Sequence, residues 1–187
     1  MLVHVRAALV LLAAFSVICG IAYPLAITGL AQLVAPRAAA GSLLRVGDRI
    51  MGSELIAQSF TRDAYFWPRP SAAGTDGYDA LASGGSNLGP LSTKLIERVR
   101  GDIARLGLSA PIPADAVTSS ASGLDPHISP ANARAQAARV ARARGRAADE
   151  VGRLIDRFTE SGELGILGER RVNVLKLNLE LDGVVTR

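Results

Sequence analysis

One stretch constrains this chain more than any other. From Ala7 to Pro36, thirty consecutive residues include no Asp, Glu, Lys, Arg or His, and only Ser16, Thr28 and Gln32 are distinctly polar. Drawn out as a helix, the run reaches about 45 Å at ~1.5 Å per residue. A bilayer core needs ~20 residues and a secretory h-region only ~7–15. The run is too long for a cleaved signal peptide, and Arg37 sits just before Ala38-Ala39-Ala40, the tripeptide that could serve for cleavage. A retained anchor is expected, with its core at about residues 9–31. Gly20, Pro24 and Gly29 would be costly in a soluble helix but are tolerated in a membrane, where they thin one side for packing against another helix.

Charge leaves the orientation open. His4 and Arg6 precede the run, while Arg37, Arg45 and Arg49 follow it with Asp48. A simple count puts the rest of the chain in the cytoplasm, yet long domains cross membranes largely regardless of their charge. The sequence therefore divides into a short N-terminus plus anchor at 1–37 and a domain at 38–187. That domain is long enough for one ordinary core. Nineteen Arg and two Lys face 17 acids, for a net charge of +4. An excess this mild and scattered argues against nucleic acid as a partner. Cys19 is the only cysteine and His4 and His127 the only histidines, so an internal disulfide, a Cys-built metal site and a multi-histidine site are excluded.

Local signals give an α+β reading of the domain. Leu43–Val46 and Arg49–Met51, separated by Gly47-Asp48, read as a hairpin. Ser53–Phe60 reads as one or two helical turns, and Tyr65-Phe66-Trp67 as a packing anchor. Residues 69–90 carry five Gly and two Pro without a period, a long loop of the kind that is functional or disordered. Leu95, Ile96, Val99, Ile103 and Leu106 recur at helical spacing between Ser92 or Thr93 as N-cap and Gly107 beyond the end. Residues 108–130 read as loop until Ser129-Pro130, N-cap and first residue of an alanine-rich helix running to Arg144. After Gly145, Val151, Leu154, Ile155 and Phe158 mark another helix ending at Ser161-Gly162. The tail 172–182 fits two patterns. Leu177, Leu179 and Leu181 alternate as in a strand, whereas Asn173 could cap a helix through Leu175 and Leu179.

No motif carries chemistry on its own. Ser83–Asn87 lacks the Lys of a phosphate-binding loop and reads as a turn. Asp125 and His127, with Ser120, Ser122 and Ser129 nearby, admit a membrane-anchored hydrolase, although Asp125-Pro126 looks more like turn initiation. Arg134, Arg139, Arg142, Arg144 and Arg146 read as a solvated helix face. A surface for an acidic partner, or a basic membrane-surface adaptor, is the alternative, and the lack of interleaved aromatics excludes a base-stacking platform.

Several stretches taken together resemble one family. They are GSLLRVGDRIMGSELIAQSF (41–60), YFWPRPSA (65–72), ASGGSNLGP (82–90), VTSSASGLDPHISPANARAQAARVARARG (117–145) and VNVLKLNLELD (172–182), and the uncharged anchor with Tyr23-Pro24 fits as well. This pattern is similar to the C subunit of the Kdp-type potassium-transporting ATPase. The resemblance implies a non-catalytic accessory subunit of an ATP-driven, high-affinity potassium importer of the bacterial inner membrane. Its implied partners are a channel-like potassium-binding subunit, a P-type ATPase subunit, a very small membrane peptide and the lipid bilayer. It implies one membrane helix with the N-terminus cytoplasmic and the domain periplasmic, against the simple charge count. It also implies that the subunit stabilises assembly and raises the pump's affinity for ATP as a catalytic chaperone. No tightly bound cofactor is expected, and ATP would be met through the complex. The nucleotide-contact candidates are Gln136 with Arg134 and Arg139. The subunit-contact candidates are Tyr23, Pro24, Gly84, Gly85, Ser86, Asn87, Gly123, Asp125 and His127.

Overall fold

A computed structural model describes residues 2–107, 110–162 and 167–184. The chain divides into two compact units, Met1–Leu43 and Leu44–Arg187. The first is built on helices α1 (Leu2–Val17) and α2 (Tyr23–Val34), joined without a break by a π-helical turn, Ile18–Ala22. The turn has a local cause. Pro24 has no amide hydrogen, and its ring would press on the carbonyl four residues back. Widening the helix there accommodates the ring, and the Tyr23 amide donates five residues back to Ile18. From Val3 to Val34 the helix is 32 residues long and none of its apolar window is buried in the protein, as an anchor that faces lipid requires. A short helix, α3 (Pro36–Ala39), follows.

The second unit opens with the expected hairpin, β1 (Leu43–Val46) and β2 (Arg49–Ser53), turning through Gly47 at φ +58°. Of the helical turns expected at Ser53–Phe60 only one closes, the Ile56 amide donating to Ser53 O at 3.3 Å. The Ser53 hydroxyl accepts from the Leu55 amide at 3.1 Å, a local bond that competes with helix, and residues 57–60 follow without regular structure. Helix α4 (Thr93–Leu106) ends at left-handed Gly107, as the spacing predicts. The expected loop between there and Ser129 contains a four-residue helix, α5 (Ala114–Val117), and a two-residue strand, β3 (His127–Ile128); residues 108 and 109 of that loop lie outside the described residues. Helix α6 (Pro130–Arg144) begins where Ser129 Oγ accepts from the Asn132 amide at 3.0 Å, and it stops at left-handed Gly145.

Helix α7 (Ala148–Arg157) stops short of the expected Ser161-Gly162, because Thr159-Glu160 turns into strand β4. The tail follows its helical pattern: the alternating Leu177, Leu179 and Leu181 lie in a helix capped by Asn173, and only the three residues before it are strand. Strand β5 (Arg171–Asn173) is central in a three-stranded sheet of order β3-β5-β4, with His127 opposite Asn173 and Thr159 opposite Val172. Asn173 then turns from last strand residue to N-cap, its Oδ1 accepting from the Lys176 amide at 3.1 Å to start α8 (Val174–Leu181). Leu175, Leu177, Leu179 and Leu181 are all buried, so α8 is apolar around most of its circumference and lies inside the domain. The main core joins Phe66, Ile128, Val140, Val151, Ile155, Val172, Leu177 and Leu181. Fully burying such a side chain stabilises by roughly 1.5–3 kcal/mol each.

Candidate functional site

Segment 62–67 runs from the surface, at Arg62 and Asp63, into the core at Phe66 and Trp67 without strand partners. Every carbonyl in it nevertheless finds a donor, as buried backbone requires. The Trp67 indole donates to Arg62 O at 3.1 Å, Arg139 to Asp63 O and Tyr65 O, and Arg144 to Ala64 O at 2.6 Å. The last two residues are each gripped by a carboxamide on both main-chain groups. Asn178 of α8 accepts from the Phe66 amide at 2.8 Å and donates to its carbonyl at 3.0 Å. Gln136 of α6 does the same to Trp67, at 2.8 and 3.0 Å. Two side chains thus supply what a neighbouring strand would have supplied.

Gln136 has no bonding capacity left over. Its amide also donates to Asn132 Oδ1 at 2.9 Å, its oxygen also accepts from Arg139 Nη2 at 2.7 Å, and the residue is 2% exposed. Arg139 lies over the Trp67 ring with its Cζ 3.8 Å from the centroid, and burial moves its pKa below the ordinary guanidinium value, opposed by Asp63. Arg144 reaches Leu181 O at 2.8 Å and Asp182 at 2.7 Å, and covers the Tyr65 ring. The expected solvated arginine face is therefore corrected for these two residues: they turn inward because main-chain carbonyls there have no other donor. Arg134 stays at the surface, paired with Asp156 at 2.6 Å. Among the nucleotide-contact candidates, then, Gln136 and Arg139 belong to this clamp and Arg134 lies outside it.

The two glycine-rich loops pack on each other. The Gly84 amide and the Ser83 hydroxyl both donate to Ser122 O, at 2.9 and 3.0 Å, and Ser119 Oγ donates to Ser86 Oγ at 3.2 Å. Glycine is needed on both sides of this seam. A Cβ at Gly123, where φ is +68°, would stand 2.7 Å from the Gly84 carbonyl, and one at Gly85 would stand 3.0 Å from the Ala121 carbonyl. Asn87, at φ +49°, is exposed beyond the seam. Tyr78 pins the first loop, its hydroxyl donating to Arg69 O at 2.9 Å; burial pushes its pKa up to about 12, with Arg105 opposing and Asp102 adding. The seam accounts for the pairing of ASGGSN with SASGLD in one chain: each sequence carries the glycine that the other's backbone requires.

At the end of the seam, Asp125 accepts from Arg69 Nη1 at 2.8 Å and from the His127 amide at 3.0 Å, with His127 Nδ1 3.6 Å away. This is the turn that Asp125-Pro126 predicts. Burial pushes the Asp125 carboxyl up, but the bonds from His127 and Arg69 outweigh it and hold the pKa below the usual value. The nearby serines are also occupied. Ser129 Oγ donates to Asp115 at 2.8 Å, Ser122 Oγ accepts from the Leu124 amide at 3.1 Å, and Ser120 Oγ accepts from the Asp125 amide at 3.4 Å. Asp125 and His127 do line an open groove of about 610 Å³ with Asp115, Arg170 and Arg171. Among the described residues, no group of three or more His, Cys, Asp and Glu could hold a metal ion. Tyr23 and Pro24 belong to the first unit, at its π-turn.

Fold and site define a protein with one apolar anchor helix and a small α+β domain whose buried polar side chains hold irregular backbone. The family described as K+-transporting ATPase, c chain (KdpC) matches residues 5–183. Relatives named potassium-transporting ATPase KdpC subunit match along nearly their whole length. That of Polaromonas naphthalenivorans is 54% identical over 96% of this chain and 94% of its own. That of Rhodospirillum rubrum is 55% identical over 97% and 96%, and that of Caulobacter vibrioides 55% identical over 97% and 94%. The chain belongs to the KdpC family of K+-transporting ATPase c chains.

The clamp is the part that sequence reasoning missed. Its only visible trace was the placement of Gln136 and Asn178 among apolar and alanine-rich neighbours, where a carboxamide must find partners.

Proposed function

We propose that this chain is a non-catalytic accessory subunit of an ATP-driven potassium importer of the bacterial inner membrane. Its N-terminus is cytoplasmic and its domain periplasmic. The anchor packs against the channel-like potassium-binding subunit through the face around Tyr23 and Pro24. The seam formed by loops 69–90 and 117–130 docks the domain over the same subunit, and the P-type ATPase subunit and the small membrane peptide complete the assembly. The observation that carries this reading is the saturated, buried carboxamide of Gln136. A residue with no free donor or acceptor has nothing to offer a nucleotide, so any rise in the pump's ATP affinity acts through the assembly, by favouring one of its states. Such couplings are typically ~1–3 kcal/mol.

The test is the complex purified without this chain. It is expected to dissociate or to lose potassium-stimulated ATP turnover, and full turnover would overturn the proposal. A reporter fused after Arg187 checks the orientation: it should be active only if it matures outside the cytoplasm.

A further inference from the structure

Two leucines flank the glycine-rich turn Ser83–Asn87, and they stand in solvent as no other large apolar side chain among the described residues does. Leu81 is 97% exposed and Leu91 95%, whereas even on the anchor helix the most exposed, Leu33, reaches only 84%. Each is third in a hydrogen-bonded turn. The Ala82 amide donates to Asp79 O at 3.1 Å, and the Ser92 amide to Gly89 O at 3.0 Å. Other residues make these turns: Asp79 Oδ1 also accepts from the Leu81 amide at 2.8 Å, and Pro90 presets φ at the second position. The first turn is held at both ends as well, by the Asp79 amide on Ala73 O at 3.1 Å and the Gly84 amide on Ser122 O at 2.9 Å. Leu81 is thus presented by backbone that is already ordered, and within the domain its side chain buries almost nothing.

We infer that Leu81 and Leu91 are the apolar anchors by which this loop binds a second protein, each seated in a recess of that protein's surface. The inference rests on the docking proposed above and names the side chains that carry it on the first loop. Charge selects a protein over lipid. From Pro70 to Thr93 the sequence carries Asp76 and Asp79 and no Lys or Arg, in a chain of net charge +4. Both aspartates are exposed. Anionic headgroups repel such a segment, whereas a protein surface with basic residues around its apolar recesses complements it. The occupant is therefore the subunit on which the loops dock, through a surface of that chemistry. Ordered turns suit this task, because the entropy of fixing the loop is lost in folding and not again in binding.

The experiment uses the full chain with Cys19→Ser and one new cysteine, Leu81→Cys, Leu91→Cys or, as control, Arg142→Cys on the exposed side of α6. Alkylation by a water-soluble maleimide is followed by the mass of this chain in three preparations: the chain alone in detergent, the chain alone in vesicles of phosphatidylcholine and phosphatidylglycerol, and the purified complex in detergent. Rates at 81 and 91 are taken relative to 142 in each. They should be the same in the two preparations of the chain alone and lower by about 10-fold or more in the complex, as for side chains covered at an interface. Leu81→Asp with Leu91→Asp should weaken retention of the chain by the complex by about 10-fold or more. The unfolding temperature of the chain alone should not move, because neither leucine is packed in it. Undiminished rates at either position in the complex overturn the inference. So does protection in vesicles without the other subunits, which would assign the leucines to the bilayer. A complex that turns over fully without this chain overturns the functional reading instead, and the rates at 81 and 91 still report whether the leucines are covered.

Discussion

Helices α6 and α4 invite comparison because they are nearly equal in length, at 15 and 14 residues, and both are rich in arginine. In α6, Arg139 and Arg144 leave the solvent to bind carbonyls of segment 62–67, and their side chains are 18% and 14% exposed. In α4, Arg98 and Arg105 pair first with Asp102 of their own helix; beyond it Arg98 reaches one carbonyl, Val117 O at 3.2 Å, and Arg105 lies over the Trp67 ring. The difference lies in what passes beneath each helix. Under α6 runs backbone without a ladder, and a guanidinium with five donors is well suited to satisfy it. Arginine content alone thus does not say how much of the fold a helix holds; the number of unmet acceptors beneath it does, four carbonyls for Arg139 and Arg144 against one for Arg98.

The largest expected effect tests the first half of that contrast. Gln136→Ala leaves both main-chain groups of Trp67 without partners and frees Arg139 Nη2. At about 1–3 kcal/mol for each buried group left unsatisfied, the loss should be about 3–5 kcal/mol. Thermal unfolding of the detergent-solubilised chain measures it. Arg139→Lys keeps the charge but loses the fork and should cost about 1–3 kcal/mol, whereas Arg142→Lys, on the exposed side, should stay within about 0.5 kcal/mol. If Gln136→Ala unfolds like the unaltered chain while the complex loses ATP affinity, the clamp is not what the glutamine is for.

The same contrast explains how much could be read in the sequence. The anchor, the hairpin, α4 and α6 were legible because their signals are local: an uncharged run, Gly47 in a turn, Ser129-Pro130 and Gly145 at helix ends. The clamp was not, because its partners lie 69 residues apart for Trp67 with Gln136 and 112 for Phe66 with Asn178. Strands β3 and β4 have two residues each, too few for any period to show. Helix α8 gave a mixed pattern because a helix buried nearly all round has no polar face to set its phase. The Asp125 turn was legible as a turn; that it closes a seam between two loops was not, since nothing in either loop points to the other.

Next in size comes the seam itself, tested by two glycines with nearly the same φ. Gly123 and Gly107 have φ of +68° and +60°, but a Cβ at Gly107 meets open space. Gly107→Ala should therefore cost only the left-handed conformation, roughly 1 kcal/mol. Gly123→Ala adds the collision with the Gly84 carbonyl and Ala73, and should cost at least about 2 kcal/mol more, as overpacking of a filled site does. Equal costs at the two positions would show that the loops can part without penalty, and would remove the rigid seam from the docking proposed for them.

The smallest effect concerns two aspartates that both face arginine and shift in opposite directions. Asp102, between Arg98 and Arg105, has its pKa raised, because burial outweighs both guanidinium groups. Asp125 has its pKa lowered, because the bonds from His127 and Arg69 outweigh its burial. A carboxyl whose folded pKa lies below its unfolded value contributes stability that is present above the unfolded pKa and is lost as the pH falls through the folded one. A raised carboxyl does the reverse, since the folded chain then holds its proton more tightly than the unfolded chain. Followed by unfolding temperature from about pH 6 down to about pH 2, Asp125→Asn should make the acid loss shallower and Asp102→Asn should make it steeper, whatever each does to stability at neutral pH. Only the slopes carry the information, because each substitution also disturbs an ion pair. A shift of both slopes in the same direction would mean that the two surroundings treat a half-buried carboxylate alike, and the contrast between α4 and the loop seam would lose its electrostatic part.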